Sequence, residues 1–224
     1  MRVKVKPVQA DKSVEWLKYE FTNETENSAT VALQWEKLII PFKIEVDVTT
    51  TQLASFRNEL RSDKGFAWES WSQAAQWCLQ NNVNLDQALL WSDTATSVAF
   101  GGDKSFQAWS TKAGILEKMG KTAAADSIMK IATPFANIFQ LHQYGRQLIQ
   151  QKKFKDALTI FKMNYDKNPN QFITLMGLTR GYSANGDYKT ALKYAQQAQP
   201  LADTQNKSNV ATMIEKLQEG KDVN

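Results

Sequence analysis

The stretch "YGRQLIQQKKFKDALTIFKMNYDKNP", Tyr144 to Pro169, decides how the chain is read. Gly145 is followed by Ala157, Phe161 and Pro169 at intervals of twelve, four and eight residues. That spacing suits the packing and turn positions of one helical hairpin. Lys152, Lys153 and Lys155 raise the rival idea of a basic patch for nucleic acid. The periodicity puts them at the turn between two helices and just beyond it, where a lysine is most simply solvated. Arg146, one residue past the glycine, falls instead on the inner helix face.

Outward from this hairpin a small residue recurs in the same role. Ala88, Ala125, Ala157 and Ala191 are separated by 37, 32 and 34 residues. A small side chain where one helix crosses its partner lets the two approach closely. From about Thr50 onward apolar residues return every three or four positions, with Ser, Thr, Asn or Asp at helix starts. The pattern predicts helices over 50–62, 67–80, 84–97, 104–118, 121–132, 136–151, 154–167, 171–184, 188–198 and 206–219. The last is the most polar and is predicted to cap the array.

Residues 2 to 48 follow a different period. Val3 and Val5 alternate with basic residues. Leu17, Tyr19 and Phe21 share one face, as do Val31, Leu33 and Trp35 after the polar turn "NETENS". Ile40, Phe42, Ile44, Val46 and Val48 point one way, with Lys43, Glu45 and Asp47 opposite. Period-two alternation predicts three or four half-buried antiparallel strands, a short β-meander. So few strands do not make a core of their own. The sheet is expected to pack on the helices, pair with another chain, or end a larger β-domain. The expected architecture is α+β, mainly α: strands in 1–49, then 50–224 as an α-α superhelical array of about four hairpins with a capping helix at 206–219.

The helical hairpins resemble the tetratricopeptide repeat, a W-x2-L-G-x2-Y, A-x3-F, P pattern. Leu141, Tyr144, Gly145, Leu148, Ala157, Phe161 and Pro169 carry it best. Leu175, Leu178, Tyr182, Gly186, Ala191 and Ala198 follow. Trp109, Ala113, Leu116, Gly120, Ala125 and Ala132 precede, and Ala75, Leu79, Ala88 and Ala95 are the weakest unit. Thr179, Ala195 and an early Pro200 depart from the pattern. The resemblance implies a stacked-hairpin scaffold for protein interaction. A second resemblance rests on "VKVKPVQADKSVEWLKYEF", "VALQWEKLIIPFKIEVDV" and "WCLQNNVNLDQALLWSDTA". These look like the C-terminal half of the domain-of-unknown-function 2911 family, similar to exported proteins of Bacteroidetes. That resemblance implies a β-rich domain ahead of the hairpins and an exported or periplasmic protein, and it supplies no activity.

Charge and composition narrow the function. The balance of 27 basic against 23 acidic residues is small and spread out, which argues against a dedicated nucleic-acid binder. No apolar run approaches the roughly 20 residues of a membrane span. "MRVKVKPV" does not read as a signal peptide. Cys78 is the single cysteine, so no intrachain disulfide forms.

Few residues suggest chemistry. His142 is the only histidine, and no metal-ligand spacing is present. "GILEKMGKT" has five residues between its glycines where a phosphate loop has four, and a helix precedes it. Gly120 is expected in the turn between paired helices. In "FGGDKSF", Asp103 or Ser105 is expected to cap the next helix. Trp68, Trp71, Trp77 and Trp91 suggest either a sugar platform or, at helical spacing, core. Glu20, Glu36, Glu45 and Asp47 are expected on a solvated sheet face. A concave groove is the main candidate site. Phe139, His142, Arg146 and Gln150 face it from one unit and Ile173, Met176, Arg180 and Ala184 from the next. Gln107, Ser110, Gly114 and Glu117 come from the unit before. Arg146 and Arg180 occupy matching places and suit bidentate capture of a peptide carboxylate. The alternative is that both pair with neighbouring acids or water. Chaperone-tail-binding relatives use a Lys/Asn/Arg clamp, whose Asn and Lys members are absent here.

The expected protein is therefore a non-enzymatic scaffold without metal or cofactor. It binds a peptide or protein segment in its groove or docks domains. The alternative is the supporting part of an exported enzyme or carbohydrate-binding protein, with its site in a β-domain or at the β–helix junction around Trp35, Trp68 and Trp71.

Overall fold

The computed structural model describes residues 2–224. Two long antiparallel strands, β1 (Val8–Thr25) and β2 (Ser28–Glu45), precede ten helices. These are α1 (Val48–Glu59), α2 (Trp68–Asn81), α3 (Leu85–Ala95), α4 (Phe106–Lys118), α5 (Thr122–Ala132), α6 (Ile138–Gln150), α7 (Phe154–Lys167), α8 (Phe172–Ala184), α9 (Tyr188–Ala198) and α10 (Lys207–Gln218). Every helix expected from the apolar period is present, with ends moved by no more than three residues.

The strands differ in detail from the alternation. Residues 2–7 lie outside β1, although Val3 and Val5 alternate as a strand would. The run predicted to extend to Val48 stops at Glu45, because Asp47 caps α1 by accepting the Thr50 N–H at 2.9 Å. The segments around Val31–Trp35 and Ile40–Ile44 belong to one element, β2. A straight strand of that length spans about 60 Å. Yet the Val46 N–H donates to the Asn27 carbonyl at 2.8 Å, so the far end of β2 returns to its beginning. The reversal lies at Glu36, where φ is +51°. The antiparallel meander is thus built from β1 and a doubled-back β2.

The sheet face expected to be half-buried is only partly so: Val31, Leu33, Ile40 and Phe42 are half-buried, while the β1 side of the face is uncovered. Tyr19 pairs with Leu33 and Phe21 with Val31 across the strands. Leu17, Tyr19, Phe21 and Trp35 on that side are all exposed by more than half. Neither strand packs extensively on any helix. Glu45 pairs with Lys43 in solvent, whereas Glu20, expected on a solvated face, is half-buried, pairs with Lys18 and accepts from Gln34 beside buried Ala32.

The helices pair as α2–α3, α4–α5, α6–α7 and α8–α9, with α10 packed on α9. The four crossing alanines Ala88, Ala125, Ala157 and Ala191 are buried. α1 adds Leu53 and Phe56, and its C-cap residue Leu60, to the first core cluster, beside Cys78 and Trp91. Trp68, Trp71 and Trp77 are half-buried in the same region, and Ser105 caps α4. In the middle of the array the Phe161 ring is fully buried between α6 and α8. A Cβ placed on Gly145, Gly177 or Gly181 would come within 3.0 Å of that ring. Three glycines therefore make the socket that brings α6, α7 and α8 together.

One junction is open. α3 packs on α4 and α7 on α8, but neither α4 nor α5 approaches α6 in the same way. Gln143 and Gln147 of α6 are the counterparts, 34 residues back, of Gly177 and Gly181. Both glutamines are exposed, and both glycines are buried. Long side chains at these two places hold the hairpins apart. Phe106 and Tyr144 bridge the gap, packing on the clusters at both sides. Gln151 donates to Glu117 at 2.8 Å, and Lys153 pairs with Asp126 at 2.8 Å. Lys153 is therefore tied across the seam rather than free in solvent.

The turns inside the hairpins share one device. Asn82, Gly120, Lys152 and Gly186 all adopt positive φ. Glycine does so without steric cost, whereas a lysine at φ +60° carries about 1 kcal/mol of strain. Lys152→Gly is expected to raise the unfolding free energy by about 1 kcal/mol in urea melts, because it relieves that strain at an exposed site.

Candidate functional site

The groove is built by the i, i+3, i+7 face of α6 and its repeat on α8. Asn137 and Gln140 form a capping box that starts α6, which fixes where this face points. Phe139, His142 and Arg146 of α6 and Ile173, Met176 and Arg180 of α8 line one cavity of about 620 Å³. Gln150 does not reach it and lies exposed at the end of α6. The physical reason is the cavity's position: it closes toward α10, away from the last turn of α6.

α10, expected from its polarity only to cap the array, supplies the third wall through Asn209, Met213 and Lys216. Its place as the next inner helix after α9 is the signal that finds them. Val223 closes one end and is buried against Ala191, Ala195 and Leu217. The tail is held there by three hydrogen bonds. The Ser183 hydroxyl donates to Asp222 at 2.6 Å, the Val223 N–H donates to Ser183 Oγ at 3.1 Å, and Asn224 Nδ2 donates to the Arg180 carbonyl at 3.1 Å. Burial pushes the Asp222 carboxyl up, but its bonds to Ser183 and Asn224 outweigh that and leave it below the ordinary value.

Cations outnumber carboxylates in the groove, with Asp222 of the tail acting on Arg180 from one end. Every ion pair among the described residues lies elsewhere, so neither Arg146 nor Arg180 is neutralised by a carboxylate within 4.0 Å. Burial, then the charge of Arg146, lowers the pKa of Arg180, while Asp222 pulls the other way. His142 is half-buried with its ring 5.7 Å from that of Phe161. Burial, then Arg180 and Arg146, push its pKa down to about 4, partly opposed by the Ile173 backbone. It is therefore a neutral imidazole at pH 7, and its buried Nδ1 has no hydrogen-bond partner. A neutral imidazole beside two unpaired guanidiniums on an apolar floor suits an acidic segment with an apolar neighbour.

Other candidates fall apart spatially. Cys78 is buried in the first core cluster, where burial raises its thiol pKa, and His142 lies on α6. Trp35 lines a shallow hollow at the β2 bend with Ser13, Glu15, Glu36 and Lys37, without Trp68 or Trp71. Trp71 donates its indole N–H to the Gly65 carbonyl at 2.8 Å and packs on Phe100. Ser110, Gly114 and Glu117 line a separate cleft on the other side of α6. Among the described residues no group of three or more His, Cys, Asp or Glu side chains could hold a metal ion. No helix of the described residues is long and apolar enough to cross a membrane.

No family model matches the chain, and no curated protein matches it in sequence. Several solved structures are similar in fold. One is described as YrrB, a TPR protein with an unusual peptide-binding site: 14% identity over 76% of this chain and 87% of that one, with a TM-score of 0.49. A MamA structure (AMB-1, C2221) is 16% identical over 66% of this chain and 85% of that one, TM-score 0.43. The Cut9–Hcn1 hetero-tetramer of the APC/C is 13% identical over 77% of this chain and 33% of that one, TM-score 0.47. Such distant likenesses transfer no residue's role.

The depressed His142 pKa makes stability depend on pH. Between about 6.5 and about 4 the unfolded chain binds a proton that the folded chain refuses, so stability falls as the pH is lowered through that window. The loss reaches up to about 3 kcal/mol and then levels off below the folded value. In urea melts across pH 4 to 7, subtracting the His142→Gln curve from the wild-type curve is expected to isolate this slope.

Proposed function

We propose that the chain is a helical-repeat scaffold that binds an acidic peptide or protein segment in the groove between α6, α8 and α10. The unpaired Arg146–Arg180 couple carries this reading. Two like charges sharing a partly dehydrated cavity repel each other, and an incoming carboxylate or other anion relieves that repulsion. Charge-assisted, bidentate bonds from a guanidinium are among the stronger polar contacts available to a binding surface. Phe139, exposed by 68%, with Ile173 and Met176 offers an apolar shelf beside the charges. Lys216 adds a third cation at the far wall.

The uncovered sheet supports a second part of the proposal, that the chain also docks onto a β-rich unit. An apolar face of this kind usually marks an interaction surface. Its two-residue alternation suits a facing sheet layer about 10 Å away. A β-rich partner of this sort is also what the resemblance to the 2911 family implies, and an exported location is implied by that resemblance alone.

An array of decapeptides with and without paired acidic residues tests the groove. Acidic members are expected to be retained at low salt, and Arg146→Ala with Arg180→Ala to weaken that retention about a hundredfold. Equal capture of acid-free peptides, or capture indifferent to both substitutions, would sink the reading. For the sheet, Tyr19→Lys with Phe21→Lys is expected to cut binding of an apolar fluorescent dye while the helical circular-dichroism melt stays in place. Unchanged dye binding would place the exposed apolar surface elsewhere.

A further inference from the structure

The seam between the α4–α5 and α6–α7 hairpins holds a cleft of about 230 Å³, on the opposite side of α6 from the cationic groove. Its chemistry is different. The charged groups at its rim are already satisfied: Glu117 accepts from Gln151, and Asp126 pairs with Lys153. Gln143 and Gln147, exposed on the α6 wall, have side-chain amides that bond to no other described residue. They stand where the next hairpin carries buried glycines, so closure of the seam has been replaced by two free carboxamides.

Their pitch is informative. Residues four apart on a helix repeat every ~6 Å along its axis. Same-side peptide groups of an extended chain repeat every ~6.6 Å. A carboxamide offers both donor and acceptor, so it can pair with the N–H and C=O of one residue at once. Two carboxamides at this pitch match two alternate residues of an extended segment. Phe106, Met129 and Tyr144 supply an apolar floor beneath. Nothing in the cleft calls for a charged side chain.

We propose that this seam is a second peptide site, in which Gln143 and Gln147 hold the backbone of an extended, uncharged segment irrespective of its side chains. The occupant class rests on the peptide-binding reading above; the site, its residues and its chemistry are independent of Arg146 and Arg180. The segment lies along α6, as the pitch requires, so the seam and the arginine groove are filled independently of one another.

The test uses the whole chain and a random dodecapeptide library selected on it, followed by N-methylation of each peptide bond of the selected sequence. Methylation removes one backbone donor at a time and leaves side chains untouched. Roughly tenfold losses are expected at two positions separated by one residue. Gln143→Ala with Gln147→Ala is expected to weaken binding by a similar factor and to abolish the sensitivity, with an unchanged thermal melt. A flat methylation scan, or a pattern that survives both glutamine substitutions, overturns the seam site and leaves the arginine groove standing. A pattern that persists in the Arg146→Ala/Arg180→Ala protein supports the seam, and removes the groove only where retention of acidic peptides is also unchanged by those two substitutions. Failure of the wild-type chain to retain any peptide overturns both.

Discussion

The buried ring of Phe161 in its three-glycine socket is the contact on which the α6-to-α10 half of the molecule depends. Gly145 sits on α6, and Gly177 and Gly181 sit on α8, so one aromatic side chain of α7 sets the distance between the two inner helices. That distance determines whether the matching faces of α6 and α8 border a single cavity. It also brings Arg146 and Arg180 near enough for one charge to depress the pKa of the other. His142 joins the same arrangement, since its ring lies against Phe161. Packing and electrostatics here are one construction: the socket that closes the core also sets exposed Arg146 beside half-buried Arg180, with no carboxylate within ion-pair distance of either.

The open seam follows from the same rule applied in reverse. At α8 two glycines admit a neighbour's ring; at α6 two glutamines stand in their place, and the neighbouring hairpin stays back. Polar bridges then replace apolar contact, from Glu117 and Asp126 on one side to Gln151 and Lys153 on the other. Lys153, which first suggests a solvated turn residue, is part of this substitute interface. Repeats that look alike at their crossing alanines therefore differ where hairpin meets hairpin.

Much of this was legible in the amino-acid order. The alanine series marks helix crossings because only a small side chain fits there, and all four prove buried. The groove face was legible because a 34-residue offset repeats Phe139, His142 and Arg146 as Ile173, Met176 and Arg180 on the same helical face. Gln150 was placed wrongly, because periodicity fixes a face but not how far a cavity extends along it. The reversal of β2 at Glu36 has no glycine to announce it, although the strands on either side were seen. Alternation reports that one face is apolar, not that anything covers it, so Val31 and Leu33 are half-buried as expected while Leu17, Tyr19 and Phe21 stand exposed. The role of the tail around Asp222 and Val223 left no periodic trace, since it depends on Ser183 from forty residues earlier.

The seam has a thermodynamic side as well. In stacked repeats, cooperativity is carried by nearest-neighbour interfaces, and a weak one divides the array into separate folding units. The core of α1 to α5 and the core of α6 to α10 communicate chiefly through Phe106, Tyr144 and a few polar bridges. Either side can then open locally without dragging the other with it, as sub-global unfolding units do. Amide protons near the Phe161 socket and those around Cys78 would consequently exchange with solvent as two populations of distinct protection, divided between Ala132 and Ile138.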